Sequence, residues 1–306
     1  MIRSGYQSVS HGHELYFEHR GDTARPCFLY LHGGPGGGIR DSERELLTSG
    51  DRHALLFDQR GAGRSRCDDI YAGNTTRDLI ADIELMRETI GVDRWILFGG
   101  SWGSTLAMAY AVAHPERVRG MILWGIFLCR REELAWFYDG GAAHLYPDEY
   151  ERFLEASGMR PGESLLAAYH RLFNDPDRRR ATAAARAWGR WEAVNSFLTP
   201  TEEQLDEFLE PDRALTMARL ETHYFVHGAF FERDDHLLAN AGRLAEVPAI
   251  LVQGRYDTIC PPASAWALHR ALPRSQLRIV VDAAHDSSEP GIHRVLAEAL
   301  DAFTTA

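Results

Sequence analysis

Trp95-Ile96-Leu97-Phe98-Gly99-Gly100-Ser101-Trp102-Gly103-Ser104-Thr105-Leu106-Ala107 is the stretch whose reading decides the fold. Its first four residues are an apolar run of the kind found in a buried parallel strand. Gly-x-Ser-x-Gly follows, and then Leu106, Ala109, Tyr110 and Ala113 recur at helical spacing until His114-Pro115 ends the pattern. Strand, Gly-Ser-Gly turn and helix together predict a nucleophile elbow, which presents Ser101 Oγ at the carboxyl end of a strand. The glycines leave room for a turn too tight for side chains on either side of the serine. The following helix aims its positive end at the same point.

Working outward, the 306 residues are 45% hydrophobic, enough for one large α/β core with an inserted unit. The net charge of −11 argues against nucleic acid or an anionic membrane as partner. All 33 basic residues are arginines, so a Schiff-base lysine, a Ser–Lys dyad and a P-loop lysine are excluded. The 4 cysteines have no metal-like spacing and read as free thiols of a reducing compartment. Residues 1–13 are polar with no apolar core of signal-peptide length, and no run anywhere is long enough to span a bilayer, which points to a cytoplasmic protein. The 14 histidines are scattered; the one close pair, His11 and His13, reads as surface, and no metal or cofactor is expected.

Upstream of the elbow, residues 6–20 read as one or two edge strands and 27–31 as a buried strand. The latter leads into His32-Gly33-Gly34-Pro35-Gly36-Gly37-Gly38, whose backbone N–H groups are free to approach a ligand. In a hydrolase this loop supplies one oxyanion donor and Trp102, next after the nucleophile, supplies the other, each worth about 3 kcal/mol in the transition state. A strand over 54–57 ends in Asp58-Gln59-Arg60-Gly61-Ala62-Gly63-Arg64-Ser65, a charged set expected to tie loops together beneath the site. A helix starts at Thr75-Thr76 and lays Leu79, Ile83, Met86 and Ile90 on the sheet.

Downstream, a strand over 120–123 precedes a change of character. Residues 126–240 are rich in aromatics, arginine and glutamate and are broken by Pro147, Pro161, Pro176, Pro200 and Pro211, with no convincing strand. The predicted organisation is an α/β-hydrolase core over 1–125 and 241–306 with a helical cap over 126–240. Strands over 249–252 and 277–281 and a helix over 292–303 complete the core, giving a mostly parallel sheet flanked by helices. Asp257 and His285 each lie just past one of these strands, in the chain order Ser, Asp, His. Ser101 is then nucleophile, His285 base and acid, and Asp257 the group that holds the imidazole. Asp282 is the rival acid, too close to His285 along the chain to face its ring easily.

Two glutamates are oddly placed. Glu221 sits among Met217, Ala218, Tyr224 and Phe225, and Glu192 follows Trp188 and Trp191. An unpaired carboxylate on an apolar helix face costs several kcal/mol, so each needs a cation. On spacing alone, an arginine and a substrate ammonium serve equally.

The segments 32–38, 58–65 and 99–106, Gly125-Ile126-Phe127, Ala218-Arg219-Leu220-Glu221-Thr222-His223-Tyr224-Phe225, and Gln253-Gly254-Arg255-Tyr256-Asp257 with Cys260-Pro261 together resemble the proline iminopeptidase (prolyl aminopeptidase) family of α/β-hydrolases. The resemblance implies Ser101, Asp257 and His285 as triad, with Gly34 and Trp102 as the oxyanion hole. It implies that Glu192 and Glu221 bind the free amino end of a small peptide, and that Phe127, Phe137, Phe225 and Cys260 line a pocket for its N-terminal proline ring. Three positions depart from the usual pattern: Trp124 replaces arginine, Ala62 replaces cysteine or serine, and Ala283-Ala284-His285-Asp286 replaces Ala-Gly-His-Ser. Asp286 is expected to raise the pKa of His285. An esterase, lactonase or amidase on the same scaffold, and a non-catalytic ligand-binding protein of hydrolase fold, are the competing readings. Oligomeric state is left open.

Overall fold

The computed structural model describes residues 2–304. Its strands are β1 (Arg3–Ser8), β2 (Glu14–Arg20), β3 (Cys27–Leu31), β4 (Ala54–Phe57), β5 (Trp95–Ser101), β6 (Val118–Ile126), β7 (Ala249–Gly254) and β8 (Ser275–Val280). They form one sheet in the order β1-β2-β4-β3-β5-β6-β7-β8. The first two pairings are antiparallel and the rest parallel. Parallel strands are covered on both faces, and β3, β4 and β5 accordingly read as unbroken apolar runs.

The helices, in order, are α1 (Asp41–Thr48), α2 (Thr76–Ile90), α3 (Trp102–Ala113), α4 (Arg131–Tyr138), α5 (Pro147–Ser157), α6 (Leu165–Phe173), α7 (Arg178–Ser196), α8 (Glu202–Phe208), α9 (Pro211–Val226), α10 (His236–Asn240), α11 (Pro262–Ala271) and α12 (Pro290–Thr304). One sheet face carries α2, α3 and α11 against Leu29, Leu97 and Leu251. The other carries α1 and α12 against Phe28, Phe98 and Val252. Seven helices, α4 to α10, lie between β6 and β7, and no strand occurs among them. Because β5 is central, its carboxyl end faces this helical insertion.

Local chemistry explains the boundaries. Thr75 caps α2 with a reciprocal capping box to Asp78, and Gly91 ends it at φ 73°. α3 is buried on nearly every side, between the sheet and the insertion, so it shows little amphipathic contrast. β6 extends beyond the expected residues 120–123 because it is buried along its length between β5 and β7. The expectation that His11 and His13 are both surface residues needs correction. His13 is 1% exposed, with its Nε2 2.9 Å from the Ala72 carbonyl, because it leads directly into β2 beneath the loop at 72. The charged set after β4 does tie loops together. Asp58 accepts from the Ile39 and Arg64 N–H groups, and Arg60 forms a buried pair with Asp82 at 2.6 Å.

Candidate active site

Ser101 sits at φ 54°, ψ −127°, a conformation that costs a side-chain-bearing residue about 1–3 kcal/mol. Its neighbours make the turn possible. A Cβ on Gly99 would lie 2.6 Å from the Gly103 carbonyl oxygen, and one on Gly103 would lie 2.0 Å from that of Leu31. The β5–β6 register shifts at Gly100/Ser101, where the chain leaves the sheet. Trp102 is the first residue of α3, so its N–H has no partner within the helix. Its indole donates to Gln59 Oε1 at 3.0 Å, and the Gln59 amide donates to the His32 carbonyl at 3.0 Å. One glutamine thus fixes both segments from which the oxyanion donors were expected. Gly34 lines the cavity in front of Ser101.

His285 Nδ1 lies 2.8 Å from Asp257 Oδ2. Asp257 is held in turn by the Gln253 amide at 2.9 Å and by the N–H groups of Ile259 and Cys260 at 3.1 and 2.8 Å. Asp282 lies exposed near the start of α12 and takes no part in this. Burial presses the His285 pKa down, while Asp257, Asp286 and Glu192 press it up more strongly, so it lies above the ordinary value. Asp286 acts as anticipated in sign, but its carboxylate is also held by Arg40 at 2.7 Å.

Glu192 on α7 and Glu221 on α9 are both buried, line the same cavity and feel each other's charge. Trp188 Nε1 donates to Glu221 at 2.6 Å, and the Tyr138 hydroxyl donates to Glu192 at 3.2 Å. Among the described residues neither glutamate has an arginine at ion-pair distance. Burial raises the Glu192 carboxyl to about 7, and burial with the Glu192 charge holds that of Glu221 well above the usual carboxylate range. Two carboxyls so placed resist ionising together, which favours one proton staying with the pair. Of the two cations left open by the sequence, the arginine is therefore missing.

Ser101, His285, Glu192 and Glu221 line one cavity of about 960 Å³, open solvent outside its mouth included, with Phe127, Phe137, Phe225 and Cys260 on its walls. Phe127 and Phe225 meet edge-to-face at 5.6 Å, and Phe137 stacks on Trp191 at 5.5 Å. The backbone of Phe127 is bracketed by α3: its N–H donates to Ser104 Oγ and its carbonyl accepts from Thr105. Burial pushes the Cys260 thiol up, so it serves as an apolar wall. Asp257 and Trp102 stand behind the cavity surface.

Sequence reasoning missed Tyr138 and Trp188 as donors to the glutamates, and Gln253 as the brace of Asp257. It also missed the end of α7. The Ser196 carbonyl accepts from the N–H groups of His285 and Asp286 at 3.1 and 2.9 Å, and the Ser196 hydroxyl donates to the Glu192 carbonyl at 2.9 Å. The signal was faint, since Ser196 is merely one turn past Glu192.

Gly125 supplies a test of the dyad's tolerance. At φ 51°, a Cβ there would lie 2.7 Å from His285 Cε1 and 2.9 Å from Nδ1. Gly125→Ala is expected to displace the imidazole and lower kcat/KM by about a hundred-fold or more. Steady-state kinetics beside a thermal melt separates this from unfolding, and unchanged kinetics would show that the ring needs no such clearance.

A family model described as the alpha/beta hydrolase fold matches residues 26–291. A proline iminopeptidase of Arabidopsis thaliana is 46% identical over 290 residues, 94% of this chain and 76% of that protein. One from Xanthomonas citri is 45% identical over 301 residues, covering 98% of this chain and 96% of its own. Among solved structures, an esterase from Exiguobacterium antarcticum superposes with a TM-score of 0.68 at 17% identity, covering 99% of this chain and 100% of its own, a likeness of fold alone. With core, insertion and site carried across that length of shared sequence, this chain belongs to the proline iminopeptidase family of α/β-hydrolases.

Proposed function

We propose that the protein is a serine aminopeptidase that releases N-terminal proline from small peptides through an acyl-enzyme. The observation that carries this reading is the buried Glu192–Glu221 pair without a protein cation, in the same cavity as Ser101 and His285. A cationic imino terminus supplies the missing charge, and its arrival displaces the proton held by the pair. The ring lies among Phe127, Phe137, Phe225 and Cys260, which read it by shape without hydrogen bonds. The scissile carbonyl then faces Ser101, with the N–H groups of Gly34 and Trp102 as oxyanion donors. His285 takes the Ser101 proton as the tetrahedral intermediate forms and passes it to the departing amine. It next takes a proton from water, which attacks the acyl-enzyme, and returns it to Ser101. Asp257 holds the imidazole tautomer and stabilises its cation.

In this reading residues 126–240 act as a cap over a core of 1–125 and 241–306, and the cap supplies the amine site. Among the described residues no helix is long and apolar enough to cross a membrane. Four free cysteines accord with a cytoplasmic home, and the net charge of −11 disfavours nucleic acid as a partner.

Hydrolysis of proline p-nitroanilide, N-acetylproline p-nitroanilide, alanine p-nitroanilide and p-nitrophenyl acetate tests the reading, with Ser101→Ala as blank. Turnover of the free proline anilide well above the acetylated one is the expected result. Ester hydrolysis with equal indifference to both proline anilides would assign the scaffold to an esterase.

A further inference from the structure

Arg40 lies two residues past the Gly-rich loop and reaches two separate parts of the fold. Its Nη1 is 2.7 Å from Asp286 Oδ2 and its Nη2 is 3.4 Å from Asp286 Oδ1. Its Nε approaches Glu207 of α8 at 4.0 Å. Asp286 is 4% exposed and follows His285 directly; besides Arg40 it accepts from the Ser288 N–H at 2.9 Å. The next residue, Ser287, donates to Glu43 of α1, which is itself buried. The loop bearing His285 is thus pinned by Arg40, by Glu43 and by the Ser196 carbonyl.

We propose that Arg40 is a positioning residue for His285, acting through Asp286. It fixes the oxyanion loop to the histidine loop and offsets the Asp286 charge that the imidazole would otherwise feel in full. Without a compensating cation, a buried aspartate beside the general base would favour imidazolium and leave the base protonated at neutral pH. The bidentate pair retains the aspartate as a structural anchor while cancelling much of its field. The other charged groups that face this region are Asp257 at Nδ1, Glu192 from α7, Glu43 from α1 and Glu207 from α8. Glu289 is also nearby, turned to the N–H groups of Ala284 and Leu198. Arg213 of α9 also lines the active-site cavity, but it pairs with Glu207 at 2.9 Å, so Arg40 is the cation in direct contact with Asp286.

The inference rests on His285 being the general base. The pH dependence of kcat/KM on p-nitrophenyl acetate tests it, because an ester without an amine bypasses the glutamate pair. Arg40→Met should move the acid limb to higher pH and Asp286→Asn should move it to lower pH, each by about half a unit or more. Arg40→Lys, which retains the charge, should restore the limb toward wild type. Loss of a purely structural tie would lower kcat in all three variants and leave the limb in place, and that result overturns the proposal. His285→Ala separates the two readings. If it retains ester turnover near wild type, the base lies elsewhere and both readings fall. If it abolishes turnover while the other variants leave the limb unmoved, the role of Arg40 alone falls.

Discussion

Ser101→Ala is expected to lower kcat on proline p-nitroanilide by about a million-fold, to a residue of catalysis supplied by binding and the oxyanion donors. The size follows from the role. Without Oγ no acyl-enzyme forms, and His285, Asp257 and the two N–H donors are left with nothing to activate. The fold should not register the change. Ser101 contributes a strained backbone that alanine adopts at the same cost, and its side chain projects into the cavity rather than into the core. A thermal melt should therefore coincide with wild type, and a fluorophosphonate probe should label the wild-type protein and not the variant. A loss of less than tenfold would remove Ser101 from the mechanism.

The second large effect lies in the amine site. Glu192→Gln and Glu221→Gln should each cost about 2–5 kcal/mol in transition-state binding of the proline anilide, or roughly 30-fold to several-thousand-fold in kcat/KM. Hydrolysis of p-nitrophenyl acetate should survive within a few-fold. Equal loss of both activities would mean that the glutamates hold up the cavity rather than read the amine. The pair also predicts a pH signature. Glu192 has its carboxyl raised to about 7, so the pair gains protons as pH falls through that region and its hold on a cation weakens. Turnover of the amine substrate should therefore decline below about pH 7 more steeply than turnover of the ester, which reports His285 alone. Removing one glutamate should bring the two profiles together.

The fold was legible because its signals are local and redundant. The elbow declares itself through three glycines, Gly99 and Gly103 with their Cβ space occupied by backbone and Gly100 with its space occupied by the Trp124 indole, and α2 declares itself through a capping box. Strands β3, β4 and β5 are visible as apolar runs because both their faces are covered. The less regular elements were harder. α1 and α11 went unread, being short helices of 8 and 10 residues, and His13 was mistaken for surface because nothing in its neighbours shows that a loop at 72 covers it. At the site, residue types and order were enough to nominate Ser101, Asp257 and His285. Spacing also exposed Glu192 and Glu221 as charges on apolar faces. It could not say whether an arginine answers them, since the 33 arginines of this chain are individually free to reach almost anywhere. That needs the third dimension, as do the Trp188 indole and the Arg40–Asp286 contact, which joins residues 246 positions apart.

Helix α7 holds Glu192 in its last turns and ends on the carbonyl that receives two N–H groups of the histidine loop. The helical insertion is therefore not an interchangeable lid. Evolution often diversifies a hydrolase by exchanging what sits above its sheet, but here such an exchange would remove the clamp on the general base along with the old specificity. Chimaeras that replace residues 126–240 wholesale should lose esterase chemistry as well as peptidase chemistry, whereas those that retain 188–196 and alter the remainder should keep it. For this protein, new specificities are therefore expected from changing the aromatic walls one side chain at a time rather than from recombination at the seams near 126 and 240.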